Sequence, residues 1–296
     1  MTRDASSPPA RTGAEDCPLC GGPSRLRFRT YGFGIRDCGA CGHRFAEVPA
    51  TDDHVERIYG DDYFEGGGAG YRGYLSEGPL LRDRGRWYGR LLARHARPGR
   101  ALDVGSAAGF WLAGLVDEGW DGSGIEPNAK MAEHGRTVLG LDVRAGTLEG
   151  LDVREGFDLV ALIQVVAHLR DVRRAVEAAV RAIRPGGLLL VETWDRDSWS
   201  ARCLGRHWHE YSPPSVLHWF SADGLRGLGR DLGLREIGRG RPAKRLLVSH
   251  AKSLLRYKYG DSAAGRVLLR VVDFVPDGLS IPYPGDDLFW MLFRKP

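Results

Sequence analysis

Arg100-Ala101-Leu102-Asp103-Val104-Gly105-Ser106-Ala107-Ala108-Gly109 is the stretch on which the fold turns. A short apolar strand, Arg100 to Val104, runs into a glycine turn, and residues 110–118 behind it read as a helix. Strand, glycine turn, helix is the arrangement that brings backbone close to a ligand at the carboxyl edge of a parallel sheet. Gly105 and Gly109 are bare where a side chain would block a bound molecule. The amino end of the helix offers unpaired N–H groups to an anion.

The alternation continues downstream. Residues 121–125 form a second strand that ends in Glu126, an acid placed to accept two ribose hydroxyls. A helix over 129–139 and a strand over 143–145 follow, and then Gly146-Thr147-Leu148-Glu149 at the edge where an adenine ring would lie. Residues 157–162 read as the fourth strand and 172–183 as a helix. Arg184-Pro185-Gly186-Gly187 reads as a hard stop and turn before a fifth strand at 188–192. Residues 234–239 and 288–294 complete an antiparallel edge hairpin. Strands alternating with helices over this length imply an α/β fold, a mostly parallel sheet covered on both faces. The turn and Glu126 by themselves fit a dinucleotide as well as S-adenosylmethionine. Two features tilt the choice. The turn is not the GxGxxG expected for a pyrophosphate. Asp103 sits just before the glycines, where it suits a cationic ligand better than a diphosphate.

Residues 101–109, Gly124-Ile125-Glu126-Pro127-Asn128, Phe157-Asp158-Leu159-Val160 and residues 184–192 resemble, in order and spacing, four motifs of class I methyltransferases. The resemblance covers the chain from about Tyr59 onward and implies a seven-stranded Rossmann-like methyltransferase sheet that binds S-adenosylmethionine. It implies that Gly105, Ser106 and Gly109 approach the methionine part, with Asp103 holding that end and Gln164 beside it. Glu126 and Pro127 would form the ribose corner, Leu148 and Glu149 would border the adenine, and Tyr63 would cover the cofactor. The family commonly has Glu-His where this chain has Ala167-His168, so an acid/base role does not transfer directly from that corner.

Four of the five cysteines fall in the first 41 residues. Cys17-Pro18-Leu19-Cys20 and Cys38-Gly39-Ala40-Cys41 are two CxxC pairs with seventeen residues between them. Two such knuckles complete the tetrahedral thiolate shell that zinc (Zn2+) accepts, and a closed shell holds structure rather than performing chemistry. Residues 26–35 between them alternate as a short hairpin. The expected organisation is a disordered tail at 1–14, a zinc-binding module at 15–48, and a linker with a helical cap at 49–99. The methyltransferase domain then occupies 100–296, with a helical insert around 242–287 whose residues 246–257 and 267–274 read as amphipathic helices. Residues 61–71, rich in glycine, are either a loop that closes over a ligand or a plain connector.

Beyond the fifth strand lie Arg206-His207-Trp208-His209-Glu210-Tyr211 and Leu217-His218-Trp219-Phe220-Ser221. Aromatics mixed with His and Glu suit a pocket that stacks an acceptor and moves a proton. Histidine has the right unperturbed pKa for a base. His209 is the first candidate, His218 and His168 follow, and Tyr211 would hydrogen-bond the acceptor. The segment resembles the small-molecule branch of the family and the zinc-knuckle methyltransferases of sugar and natural-product pathways. A net charge of +4 gives little support to a nucleic-acid partner. RNA base methylation guided by the zinc module, and a non-catalytic adenosylmethionine-binding protein, are the competing readings. The apolar runs are shorter than a bilayer requires and the first 15 residues lack a signal-peptide centre, so the expectation is a cytoplasmic protein with no membrane segment. Whether it is a monomer or homodimer is left open.

Overall fold

The computed structural model describes residues 16–48, 58, 60, 74–150, 153–249, 252, 269, 272 and 274–296. The tail at 1–14, Tyr63 with its glycine-rich neighbours, and residues 250, 251, 253–268, 270, 271 and 273 of the 242–287 insert lie outside those residues. Among the described residues no helix is long and apolar enough to cross a membrane.

The front module is three strands, β1 (Ser24–Thr30), β2 (Phe33–Cys38) and β3 (Arg44–Ala46). A 3₁₀ turn (Tyr74–Glu77) leads into α1 (Gly78–Leu92). The core then alternates β4 (Arg100–Val104), α2 (Phe110–Asp117), β5 (Asp121–Glu126), α3 (Ala129–Thr137), β6 (Asp142–Ala145), β7 (Phe157–Ile163), α4 (Val172–Ala182) and β8 (Ile183–Trp194). It continues with α5 (Trp199–Leu204), β9 (His218–Trp219), α6 (Ala222–Asp231), β10 (Arg235–Gly240), β11 (Arg245–Leu247), β12 (Ser280–Pro282) and β13 (Leu288–Arg294).

Seven strands form the main sheet in the order β10-β13-β8-β7-β4-β5-β6, and β13 is antiparallel to both its neighbours. Side chains alternate across it with the period of two that strands impose. Leu159, Ala161, Leu188, Leu190, Trp290 and Leu292 pack on one face beneath α1 and α2. Val160, Leu162, Leu189, Val191, Met291 and Phe293 pack on the other, with α4 and α6. The apolar face of α4 repeats at Val172, Ala175, Val176 and Ala179, and Asp171 caps it by accepting from the Arg174 amide. Helices α1 and α2 cross at Gly85 and Gly114, where a Cβ would fall 2.1 Å from the Trp111 carbonyl and 2.0 Å from the Arg82 carbonyl. The chain leaves β4 toward β5 and β6 and returns to β7 on its other side. That reversal is where α/β sheets open a crevice at the strands' carboxyl ends.

Two expectations change. Arg184 to Gly187 does not stop the sheet: β8 already begins at Ile183, and the run is a bulge, with Ile183 opposite Phe157 and Leu188 opposite Leu159. Gly186 absorbs it at φ +80°, and Lys295 exchanges backbone hydrogen bonds with Gly186 and Gly187. Leu246 begins no helix; it lies in β11, paired with Ile281 of β12. The front module is also not self-contained. Its sheet runs β1-β2-β3-β9, so the last strand comes from the main domain, with Arg44 opposite Trp219 and Phe45 opposite His218.

Candidate functional site

The carboxyl ends of β4, β5 and β7 open into a cavity of about 400 Å³, within the range of small-molecule sites. Its lining includes Asp103, Gly105, Ser106, Ala107, Glu126, Pro127, Leu148, Gln164 and His168. The turn after β4 is strapped to β5: the amides of Gly105 and Ser106 donate to the Ile125 carbonyl at 2.8 and 3.2 Å. Glu126 closes the same corner, its carboxylate accepting from the amides of Ala107 and Asn128, each at 2.8 Å. Burial raises the pKa of Glu126, while those amides work against the rise. Asp103 is almost wholly buried. Burial, and then the neighbouring charge of Glu126, hold its carboxyl well above the usual range. Ser106 Oγ is buried without a hydrogen-bond partner among the described residues. Two crowded carboxyls and an orphan hydroxyl form an environment that a cation with hydrogen-bonding groups would relieve.

The two glycines turn out to differ. Gly105 lines the cavity at φ +67°, and a Cβ there would meet Val165 Cγ2 at 2.6 Å. Gly109 does not line it; at φ +84° it precedes α2, and a Cβ would meet Leu141 Cδ1 at 2.8 Å. Its bareness serves packing below the turn. Gln164, also at positive φ, donates from Nε2 to Glu192 Oε1 at 2.9 Å. Fully buried Glu192 also takes Arg84 and the Tyr88 hydroxyl. The backbone of Glu149 lies beside Leu148 in a 3₁₀ turn, and its side chain is outside the described set.

The acceptor-side candidates separate sharply. His168 lines the cavity and bonds through Nδ1 to the Ser215 carbonyl at 2.8 Å. A carbonyl partner fixes the proton on Nδ1 and makes Nε2 the lone-pair nitrogen. Burial lowers its pKa, so the ring is neutral near pH 7. His218 is spent on structure: Nδ1 meets His43 Nε2 at 3.1 Å and Nε2 meets the Leu169 carbonyl at 2.9 Å. Tyr211 is buried among Phe28, Trp208 and Trp219, and its hydroxyl accepts from Arg44 Nη1 at 2.5 Å. His209 pairs with Glu210 at 2.7 Å. Neither Tyr211 nor His209 belongs to the cavity lining. Among the lining residues that the sequence does not single out for the site are Arg84 from α1 and Lys244 from the segment between β10 and β11.

The four cysteines of the front module converge. Their sulfurs all lie within 4.8 Å of one another, with Cys17–Cys41 and Cys20–Cys38 at 3.5 Å. These separations are far from the about 2.05 Å of a disulfide. They are close to the about 3.8 Å edge of a tetrahedron with metal–sulfur bonds of about 2.3 Å. The amides of Ala40 and Cys41 donate to Cys38 Sγ at 3.4 Å. Three contacts tie this knuckle to the cavity wall. Arg173 of α4 donates to the Leu19 carbonyl at 2.9 Å, His43 meets His218, and His218 meets Leu169, itself a lining residue.

A family model described as a methyltransferase domain matches residues 78–237. A ubiquinone biosynthesis O-methyltransferase of Nitrobacter winogradskyi is 31% identical over 125 residues, covering 40% of this chain and 46% of that protein. One from a Bradyrhizobium species is 33% identical over 127 residues, covering 40% and 47%. The chain thus spans about half the length of the curated relatives it matches. Among solved structures, the 1,6-didemethyltoxoflavin-N1-methyltransferase of Burkholderia thailandensis superposes with a TM-score of 0.50 at 15% identity. That likeness covers 92% of this chain and 99% of the other, whose structure holds 1,6-didemethyltoxoflavin and S-adenosylhomocysteine. At that identity it speaks for the fold alone.

Proposed function

Because the chain belongs to the class I S-adenosylmethionine-dependent methyltransferase family, we propose that it moves a methyl group from S-adenosylmethionine to a small-molecule acceptor with an O, N or C nucleophile. The observation that carries this reading is the buried pair Asp103 and Glu126, at the carboxyl ends of β4 and β5, lining one cavity with the turn at Gly105. Asp103 and Ser106 would hold the amino-acid end, Glu126 the ribose, and Pro127 and Leu148 the base. When bound, S-adenosylmethionine supplies a methyl group on a cationic sulfur, open to in-line displacement.

The protein's share is alignment and proton handling. Leu81, Trp111 and Ile163 supply apolar wall that limits water and orients the acceptor. His168, the candidate histidine that stands on the cavity wall, takes the acceptor's proton. This assigns the base to the third candidate from the sequence, not the first. We assign Zn2+ to Cys17, Cys20, Cys38 and Cys41, where it would fix the knuckle against α4 and β9. The size of the cavity and the mild net charge support a small acceptor over RNA; natural-product or sugar biosynthesis is the setting that the resemblance of the zinc knuckle and aromatic run implies.

The test is calorimetric titration of the full chain with S-adenosylhomocysteine and, in parallel, NAD. Saturable binding of the first alone is the expected result. Binding of NAD in its place, or of neither, overturns the reading.

A further inference from the structure

One lining residue has no role in the transfer described above. Lys244 enters the cavity from the segment between β10 and β11. Its Nζ sits over two ring faces, 5.3 Å from the centroid of Trp194 and 5.0 Å from that of Tyr283. Among the described residues no carboxylate lies within ion-pair reach of it. The other cations nearby are committed: Arg84 is bound to Glu192, and Arg170 already takes part in a contact of its own.

Glu210, Glu77 and Asp287 act on it only from beyond ion-pair distance, and burying an ammonium with no paired carboxylate is costly. Ring faces return only part of that cost. Burial, then repulsion from Arg84, pulls the pKa down to about 8. The group therefore remains mostly protonated near pH 7 and acts there as a positive charge, not as a base. Elsewhere in the lining stand the carboxyls of Asp103 and Glu126. The cavity thus carries acid where a cationic cofactor is read to bind and, in the remaining wall, one cation with no carboxylate paired to it among the described residues.

We propose that Lys244 is the acceptor-binding cation of this cavity, and that the acceptor is a molecule with an apolar body and a carboxylate. The proposal rests on the methyltransferase reading of the same cavity. One unpaired cation matches one negative charge, so a monoanionic carboxylate fits better than a dianionic phosphate ester. The apolar lining from Leu81, Trp111 and Ile163 accounts for the rest of the molecule.

The experiment uses the full chain saturated with S-adenosylhomocysteine and titrated with benzoate and with its neutral isostere benzamide. Wild type is expected to prefer benzoate by about tenfold or more, the scale of one charge-assisted contact. K244M keeps the side-chain volume and is expected to lose the preference, while K244R retains it. S-adenosylhomocysteine affinity is expected to be equal in all three. Wild type that binds benzoate no better than benzamide, or K244M that keeps the preference, overturns the proposal while leaving the methyltransferase reading intact. Failure of S-adenosylhomocysteine to bind wild type sinks that reading and the proposal with it.

Discussion

The turn at residues 103–109 and the aromatic run at residues 207–220 make the same promise in sequence. Both follow a strand of the main sheet, and both hold residue types suited to a ligand. In the folded chain they part. The turn keeps Asp103, Gly105, Ser106 and Ala107 on the cavity wall. The run buries Trp208, Tyr211, His218 and Trp219, and its partners Phe28, His43 and Arg44 come from the front module. Side-chain type does not decide between chemistry and packing. What decides is whether the polar ends are met by protein: His218 has both nitrogens engaged, whereas Ser106 Oγ meets no partner among the described residues.

The strongest way to break that contrast is Gly105→Val. The backbone at φ +67° resists a β-branched residue, and its Cβ would press on Val165 at 2.6 Å. Relieving both moves the amides that strap the turn to Ile125. S-adenosylhomocysteine affinity by calorimetry is expected to fall about 100-fold or more. The cysteine knuckle should still take up zinc, since it touches the other region. Near-native affinity would show that the turn does not face the cofactor.

His168 and His209 test the contrast on the rate. His168→Ala is expected to lower kcat by about 10² to 10⁴ with S-adenosylhomocysteine affinity little changed, the range for a positioned base. His209→Ala, outside the lining, is expected to leave kcat within about twofold. The reverse ranking in single-turnover kinetics with a true acceptor would return the base to the aromatic run.

Trp208→Ala probes the other region by stability. Trp208 is buried, and its indole N–H donates to Asp287 Oδ2 at 2.8 Å. The loss is expected to be about 3–5 kcal/mol in denaturant unfolding, as for large aromatic truncations. Cofactor affinity below the transition should stay at the wild-type value. A drop in cofactor affinity with no loss of stability would mean that the run serves the site after all.

The sheet and the turn were legible because their signals are local. Apolar runs of strand length, the glycines and Asp103 fall within short windows, and spacing places them at one sheet edge. The four cysteines were legible for the same reason. The packing of Gly109 is not visible in sequence, because Leu141, which its missing Cβ accommodates, lies on another element. The fates of His218 and Tyr211 were hidden further off: His43 is 175 residues away and Arg44 is 167. Leu246 was read as helical because a short amphipathic stretch has no unique period, and its partner Ile281 is distant in the chain. Lys244 belongs to the basic stretch from Arg235 to Lys258, which reads as a solvated face; only the folded cavity brings it beside Trp194 and Tyr283.

Lys244 also gives the comparison its mildest test, because it stands in the cavity yet leans on Trp194 and Tyr283, which pack with the aromatic cluster. Burial and Arg84 lower its pKa to about 8, against Glu210, Glu77 and Asp287, which raise it. The sign follows directly. Below about pH 8 the ammonium is charged and holds an anion; above it the charge is lost. Benzoate affinity in the S-adenosylhomocysteine complex should therefore be flat from pH 6 to 7, because a carboxylate with a pKa of about 4 is already ionised there. It should then fall toward a slope of about tenfold per pH unit above 8. K244M should remove the inflection, and K244R should move it beyond the accessible range, since a guanidinium stays charged. An inflection that persists in K244M would assign the titration to another group and place the positive charge of the acceptor wall elsewhere.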